Sequence, residues 1–249
     1  MTPMTDMSAA FDRRAVFDRR TELAASLSAL RERIDRACEV AGREPSGVAL
    51  VAVTKTFAAS DVRLLAELGV TDVGENRDAE AAAKHAECAD LGLVWHFVGQ
   101  LQRRRCRSVA TYADVVHSID RPELVDALGV AAQAAGRVIA GLIQVSLDGA
   151  GATGRGGIDP DRALALATQI VATPGLALAG VMAVAPPDTD PGPAFLRLAE
   201  VSTQVRATFP GAAIVSAGMS ADLEAAVVHG ATHLRVGSAL LGGREPRVG

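Results

Sequence analysis

The chain has 249 residues, 49% of them hydrophobic, enough for the core of one large α/β domain or two small ones, and a single domain is the expectation. Its formal charge of -4 is not gathered into blocks, which argues against nucleic acid or an anionic membrane as partner and in favour of a small molecule. Cys38, Cys88 and Cys106 show no paired or metal-type spacing, and no apolar run has the length and flanks of a signal peptide or membrane span, so the expectation is a cytoplasmic, reducing setting and no metal.

Residues 1–20 repeat Phe-Asp-Arg-Arg (Phe11 to Arg14, Phe17 to Arg20) with little periodicity and read as a disordered leader, leaving 21–249 as the domain. From Thr21 to Ala41, Leu23, Leu27, Leu30, Ile34, Cys38 and Ala41 recur at three- and four-residue spacing between charges, which predicts an amphipathic helix ending near Gly42.

Short apolar runs then alternate with helical segments. The predicted strands are Val48 to Val53, Val70 to Val73, Val94 to Val98, Val115 to Ser118, Ile139 to Ser146, Leu176 to Val184, Ala213 to Ser216 and Thr232 to Val236. Predicted helices between them include Ala59 to Leu68, Asn76 to Ala89, Arg121 to Ala135, Pro160 to Ala172, Ala194 to Thr208 and Ala221 to His229. Eight strand-then-helix units point to a parallel sheet closed into a single (β/α)8 TIM-type barrel with an extra N-terminal helix, because closure leaves no edge. A doubly wound open sheet is the alternative, although no Gly-x-Gly-x-x-Gly follows the first strand.

In such a barrel the functional face lies where strands end and helices begin. Lys55 follows the first strand, and it is one of only two lysines, with Lys84, among 25 basic residues. A lysine kept where arginine has taken nearly every other cationic position fits a task that guanidinium cannot perform, such as imine formation; a snorkelling lysine at a strand end is the competing reading. Gly74-Glu75-Asn76 follows the second strand and Gly99-Gln100 the third. Ser216-Ala217-Gly218-Met219-Ser220 follows the seventh, and Arg235-Val236-Gly237-Ser238 closes the eighth. Loops after strands seven and eight often bind phosphate in this fold, and Gly218, Gly237, Ser216 and Ser238 suit that use, while ordinary turn chemistry accounts for the same residues.

Other segments invite plainer readings. Arg103 to Arg107 reads as a solvated face opening a helix, and Gly149 to Gly157 as a loop after the fifth strand that could also fold over a ligand. His96 reads as a hydrogen-bonded core residue or a pocket residue, and His85, His117, His229 and His233 have no metal-ligand spacing.

The motifs Val51-Ala52-Val53-Thr54-Lys55-Thr56, Gly74-Glu75-Asn76, Trp95 to Gln102, His117-Ser118-Ile119-Asp120, Gly180-Val181-Met182-Ala183, Gly218 to Ala226 and Arg235-Val236-Gly237-Ser238 together resemble the YggS/PROSC-type family of pyridoxal 5′-phosphate (PLP) homeostasis proteins, from about Thr21 to Arg244. The resemblance implies a barrel like that of alanine racemase, with Lys55 as the imine lysine, Arg235 the partner of the pyridine nitrogen, Ser216, Gly237 and Ser238 phosphate ligands, and Asn76 beside the cofactor. The chain departs from the family pattern at Ala217, Ser238 and Arg103 to Arg105, where methionine, threonine and a segment containing Asn-Lys are usual. The implied role is a PLP carrier without turnover, a monomer that passes PLP to apo-enzymes. The alternatives are a racemase of low activity and a Schiff-base lyase for phosphorylated sugars that uses Lys55 without the cofactor. A racemase needs a second acid/base on the far side of the cofactor, and the only tyrosine is Tyr112.

Overall fold

The computed structural model describes residues 4–148 and 156–243, with side chains from Val16 onward. Most of the Gly149 to Gly157 segment and Arg244 therefore lie outside the described residues.

Eight parallel strands close into a barrel in simple sequential order: β1 Ala49–Val53, β2 Asp72–Glu75, β3 Val94–Phe97, β4 Val115–Ile119, β5 Ile139–Gln144, β6 Leu176–Met182, β7 Ile214–Ser216 and β8 His233–Val236. β8 pairs back onto β1 from Ala49↔His233 to Ala52↔Val236, so the open doubly wound alternative is excluded and no strand edge remains. The connecting helices are α2 Ala59–Glu67, α3 Asp78–Glu87, α4 Cys106–Tyr112, α5 Pro122–Ala134, α6 Ala163–Ala172, α7 Gly192–Thr208, α8 Leu223–Val228 and a short α9, Ser238–Leu241.

The N-terminal helix, α1, runs Met4–Ala41, well before the expected start at Thr21. The expected disordered leader therefore has helical backbone from Met4, and position 20 is no structural boundary. Arg19 ties this part of α1 to the body: its Nε donates to Asp61 at 2.7 Å and its Nη2 to the Leu241 carbonyl at 3.0 Å. The predicted apolar stripe is the packed face, with Leu23, Leu27, Leu30, Ile34 and Cys38 all buried, and α1 lies against α8, α9 and α2. Arg33 adds a paired hydrogen bond to Glu224 at 2.8 and 3.0 Å on α8.

Each strand sends alternate side chains outward under the helices and inward to the barrel axis. The outward set joins the helices in one continuous apolar layer. The inward set divides by height. Val115, Leu142 and Met182 form an apolar cluster with Val94 and Ile214. Among them run His96, His117, Ser216 and Arg235, a polar core contributed by β3, β4, β7 and β8.

The second strand departs most from the sequence expectation. Val70 is not in β2; its N–H bonds the Leu65 carbonyl at 3.0 Å and its side chain is buried in the turn after α2. Glu75, an unpromising strand residue, is in β2 with one carboxylate oxygen held by Thr54 and Lys84, while Oε2 is buried without a hydrogen-bond partner among the described residues.

Candidate functional site

At the C-terminal mouth of the barrel lies a cavity of about 380 Å3 lined by Lys55, Asn76, Arg235, Gly237 and Ser238, with Val53, Phe57, Val98, Gly99, Val184 and Met219. Five of the seven residues singled out in the sequence therefore meet at one place.

The loop carrying Lys55 is held by a buried ionic network. Thr54, next to it in the chain, donates its N–H to the Gly74 carbonyl at 3.0 Å and its hydroxyl to Glu75 at 2.6 Å. Lys84 reaches in from α3 and spends its ammonium on three acceptors: the Thr54 carbonyl at 2.6 Å, Glu75 at 2.7 Å and Glu80 at 2.8 Å. Three donors meet three acceptors, so Lys84 is a clamp and its amine is not presented to the cavity. Glu80 also accepts the N–H of Thr56. That contact holds Thr56 at φ 71°, a left-handed conformation that costs energy for a β-branched residue. Burial pushes the Glu75 carboxyl up against the pull of Lys84 and Thr54. Glu80, despite burial acting the other way, is held below its usual range by Lys84 and the Thr56 N–H.

Asn76 lines the same cavity as Lys55, and its side-chain oxygen is buried with no hydrogen-bond partner among the described residues. Gly99 is the reason it fits: a Cβ at that position would lie 2.3 Å from the Asn76 carbonyl oxygen.

Arg235 is 5% exposed and lines the cavity. Nη1 donates to the Ser216 hydroxyl at 2.6 Å and Nη2 to the Ala183 carbonyl at 2.8 Å. Burial lowers its pKa to about 10, partly offset by Asp222, so it remains a cation at neutral pH.

Ser216 and Gly218 do not line the cavity. Ser216 is fully buried beneath Arg235, and its hydroxyl is taken up by Arg235 and by His117 Nδ1 at 3.0 Å. Gly218 has φ +87°, and an added Cβ would meet Ala226 Cβ at 2.6 Å, so it shapes the turn after β7. Met219 is the residue of that loop that lines the cavity; next to it, the Ser220 hydroxyl lies 3.1 Å from that of Ser238 and accepts the Ala239 N–H at 3.2 Å. His96 is a buried core residue. It bonds His117 Nε2 at 2.8 Å and Asp72 at 2.9 Å. Tyr112 is outside the barrel wall, close to His85 and 3.5 Å from Asp78.

Among the described residues no group of three or more His, Cys, Asp or Glu could hold a metal ion, and no helix is long and apolar enough to cross a membrane.

The fold and the lysine-bearing mouth define a class. Residues 25–245 match the family described as alanine racemase, N-terminal domain, and the chain belongs to that family. Within it, the chain is 44% identical to the pyridoxal phosphate homeostasis protein of Mycobacterium tuberculosis (strain H37Rv), over 96% of this chain and 99% of that relative. PipY of Synechococcus elongatus PCC7942, solved with PLP bound, is 31% identical, with a TM-score of 0.77 over 89% of this chain and all of PipY. Alanine racemase of Clostridium difficile 630 superposes with a TM-score of 0.68 at 16% identity, over 91% of this chain and 58% of the racemase, a likeness of fold alone.

Proposed function

We propose that this chain binds PLP covalently through Lys55 and serves PLP homeostasis, holding the cofactor and releasing it to apo-enzymes without turning over a substrate. The observation that carries the reading is the meeting of Lys55, Arg235, Asn76 and Ser238 in one cavity at the strand ends, in a chain whose relatives are named for this role. When bound, PLP supplies an aldehyde carbon to which a primary amine adds reversibly with loss of water. Lys55 Nζ is the amine for that bond, and Lys84 is engaged elsewhere. Arg235, a group that can only donate, would face the pyridine nitrogen and keep it unprotonated. Ser238, with the backbone at Gly237, would hold the phosphate, and Asn76, whose side-chain oxygen has no partner among the described residues, would lie beside the ring.

The same residues argue against turnover. A carbanion next to PLP is stabilised by a protonated pyridine, and Arg235 opposes that state. Racemisation needs a second acid/base across the cofactor, and Tyr112, the only tyrosine, is buried behind β3 and β4 with its phenol pushed up by burial. We further assign a cytoplasmic location and a monomeric state, because each group named above comes from one chain; sedimentation near 25.6 kDa checks the latter.

The test is the absorbance spectrum of purified protein with and without added PLP, for wild type and Lys55→Ala. The wild type is expected to take up PLP and show a borohydride-reducible band that the variant lacks. A colourless wild type that takes up no PLP overturns the cofactor and favours the sugar-phosphate lyase. A variant that keeps the band overturns Lys55.

A further inference from the structure

Arg235 stands at one end of a continuous hydrogen-bonded chain that crosses the barrel interior. Ser216 Oγ is 2.6 Å from Arg235 Nη1 and 3.0 Å from His117 Nδ1. His117 Nε2 is 2.8 Å from His96 Nδ1, and His96 Nε2 is 2.9 Å from Asp72 Oδ1. The chain joins β8, β7, β4, β3 and β2, and its three middle members are 0–2% exposed. It ends at Asp72, at the start of β2 and the opposite end of that strand from Glu75 and Asn76.

With Asp72 ionised and one proton on each imidazole, the donors and acceptors admit one arrangement. A guanidinium only donates, so Ser216 accepts from Arg235 and has its single proton for His117 Nδ1. That nitrogen is then bare, and a neutral His117 carries its proton on Nε2. It donates to His96 Nδ1, which is bare in turn, and His96 Nε2–H donates to the Asp72 carboxylate. Every donor points the same way, from the cavity toward Asp72. With the imidazoles neutral, reversal would require the Asp72 carboxylate to donate, so the chain acts as a fixed, polarised tether. Buried chains of this kind strengthen each link, and here the polarisation makes the Ser216 lone pair a better acceptor for Nη1.

We propose that Asp72, His96, His117 and Ser216 are positioning residues that fix the guanidinium of Arg235, and with it the electronic state of the cofactor's pyridine ring, from the far end of the barrel. This rests on the cofactor reading above. The charged and titratable groups acting on His117 are His96, Arg235 and His233; together with burial they hold it well below its usual range, as the neutral state requires. His233 on β8 lies with its ring 6.3 Å from that of His96, and burial lowers it too. Asp72, despite partial burial, is held below its usual range by His96 and Thr71.

The test begins with PLP-free wild type and needs no variant to fold. Nitrogen–proton correlation spectra between pH 5.5 and 8.5 are expected to show His117 neutral, protonated on Nε2 and bare on Nδ1 throughout. A proton on His117 Nδ1, or titration of His117 within that range, overturns the tether. With PLP labelled with nitrogen-15 in the ring, Ser216→Ala and Asp72→Asn are expected to move the ring-nitrogen resonance, and Ser216→Ala to weaken PLP binding on the order of ten-fold, the size of one lost hydrogen bond to a charged group. Resonance and affinity identical to wild type in both variants also overturn it. Wild type that takes up no PLP instead removes the cofactor reading, so the two failures are distinct.

Discussion

Two imidazoles in the barrel interior are held neutral by burial, His117 fully and His233 mostly. The unfolded chain accepts protons on both near pH 6.5, while the folded chain refuses them until a lower pH. Their contribution to stability is therefore complete above about pH 6.5 and is lost as pH falls below it, at up to ~1.4 kcal/mol per pH unit for each group. Urea unfolding midpoints of Glu75→Gln, which removes the carboxyl that burial holds high, are expected to fall from pH 7 to 5.5, a window above the range in which Asp72, Glu80 and Glu224, all held low, begin to titrate. A midpoint that is flat or rises as the solution is acidified in that window would contradict the neutral assignment. The place of Lys55 at the mouth was legible in the sequence because it directly follows the apolar run of the first strand. The chain from Arg235 to Asp72 was not, because its members come from five strands and meet only when the barrel closes.

Between α3 and the β1 loop, Lys84 does for the fold what Lys55 is proposed to do for the ligand: it brings an amine to a set of oxygens. Lys84→Met would leave Glu75 buried and the Thr54 carbonyl without its donor, and a buried pair broken on one side costs about 3–5 kcal/mol. The double variant Lys84→Met/Glu75→Gln is expected to cost less than the sum of the singles, and urea unfolding of the set measures the coupling. Additive losses would mean that the two act separately. The sequence exposed the rarity of Lys84 but no task for it, since Glu75, Glu80 and Thr54 become its partners only through the β1–β2 register. The strands themselves were legible because walls buried on both sides read as unbroken apolar runs. β2 was misplaced by two residues for the converse reason: the apolar Val70 serves a turn, and the charged Glu75 serves the sheet. At the N-terminus the apolar stripe marked the packed face of α1, and composition alone concealed that Met4 to Arg20 continue the same helix.

For the whole molecule, closure of the barrel places every proposed ligand contact on a single chain and leaves no strand edge to recruit a second copy. The scarcity of lysine then has a consequence for dose. A free aldehyde condenses indiscriminately with the amines that coat most protein surfaces, so an ordinary protein in excess PLP becomes decorated at many positions. This one carries two side-chain amines in all, one at the cavity and one locked among three oxygens. Treatment with excess PLP followed by borohydride is expected to add one side-chain adduct, at Lys55, by intact-mass and peptide analysis; stable labelling of Lys84 in folded protein would show that its clamp opens. An arginine-coated surface thus makes the molecule a counted vessel, filled once and indifferent to any surplus around it.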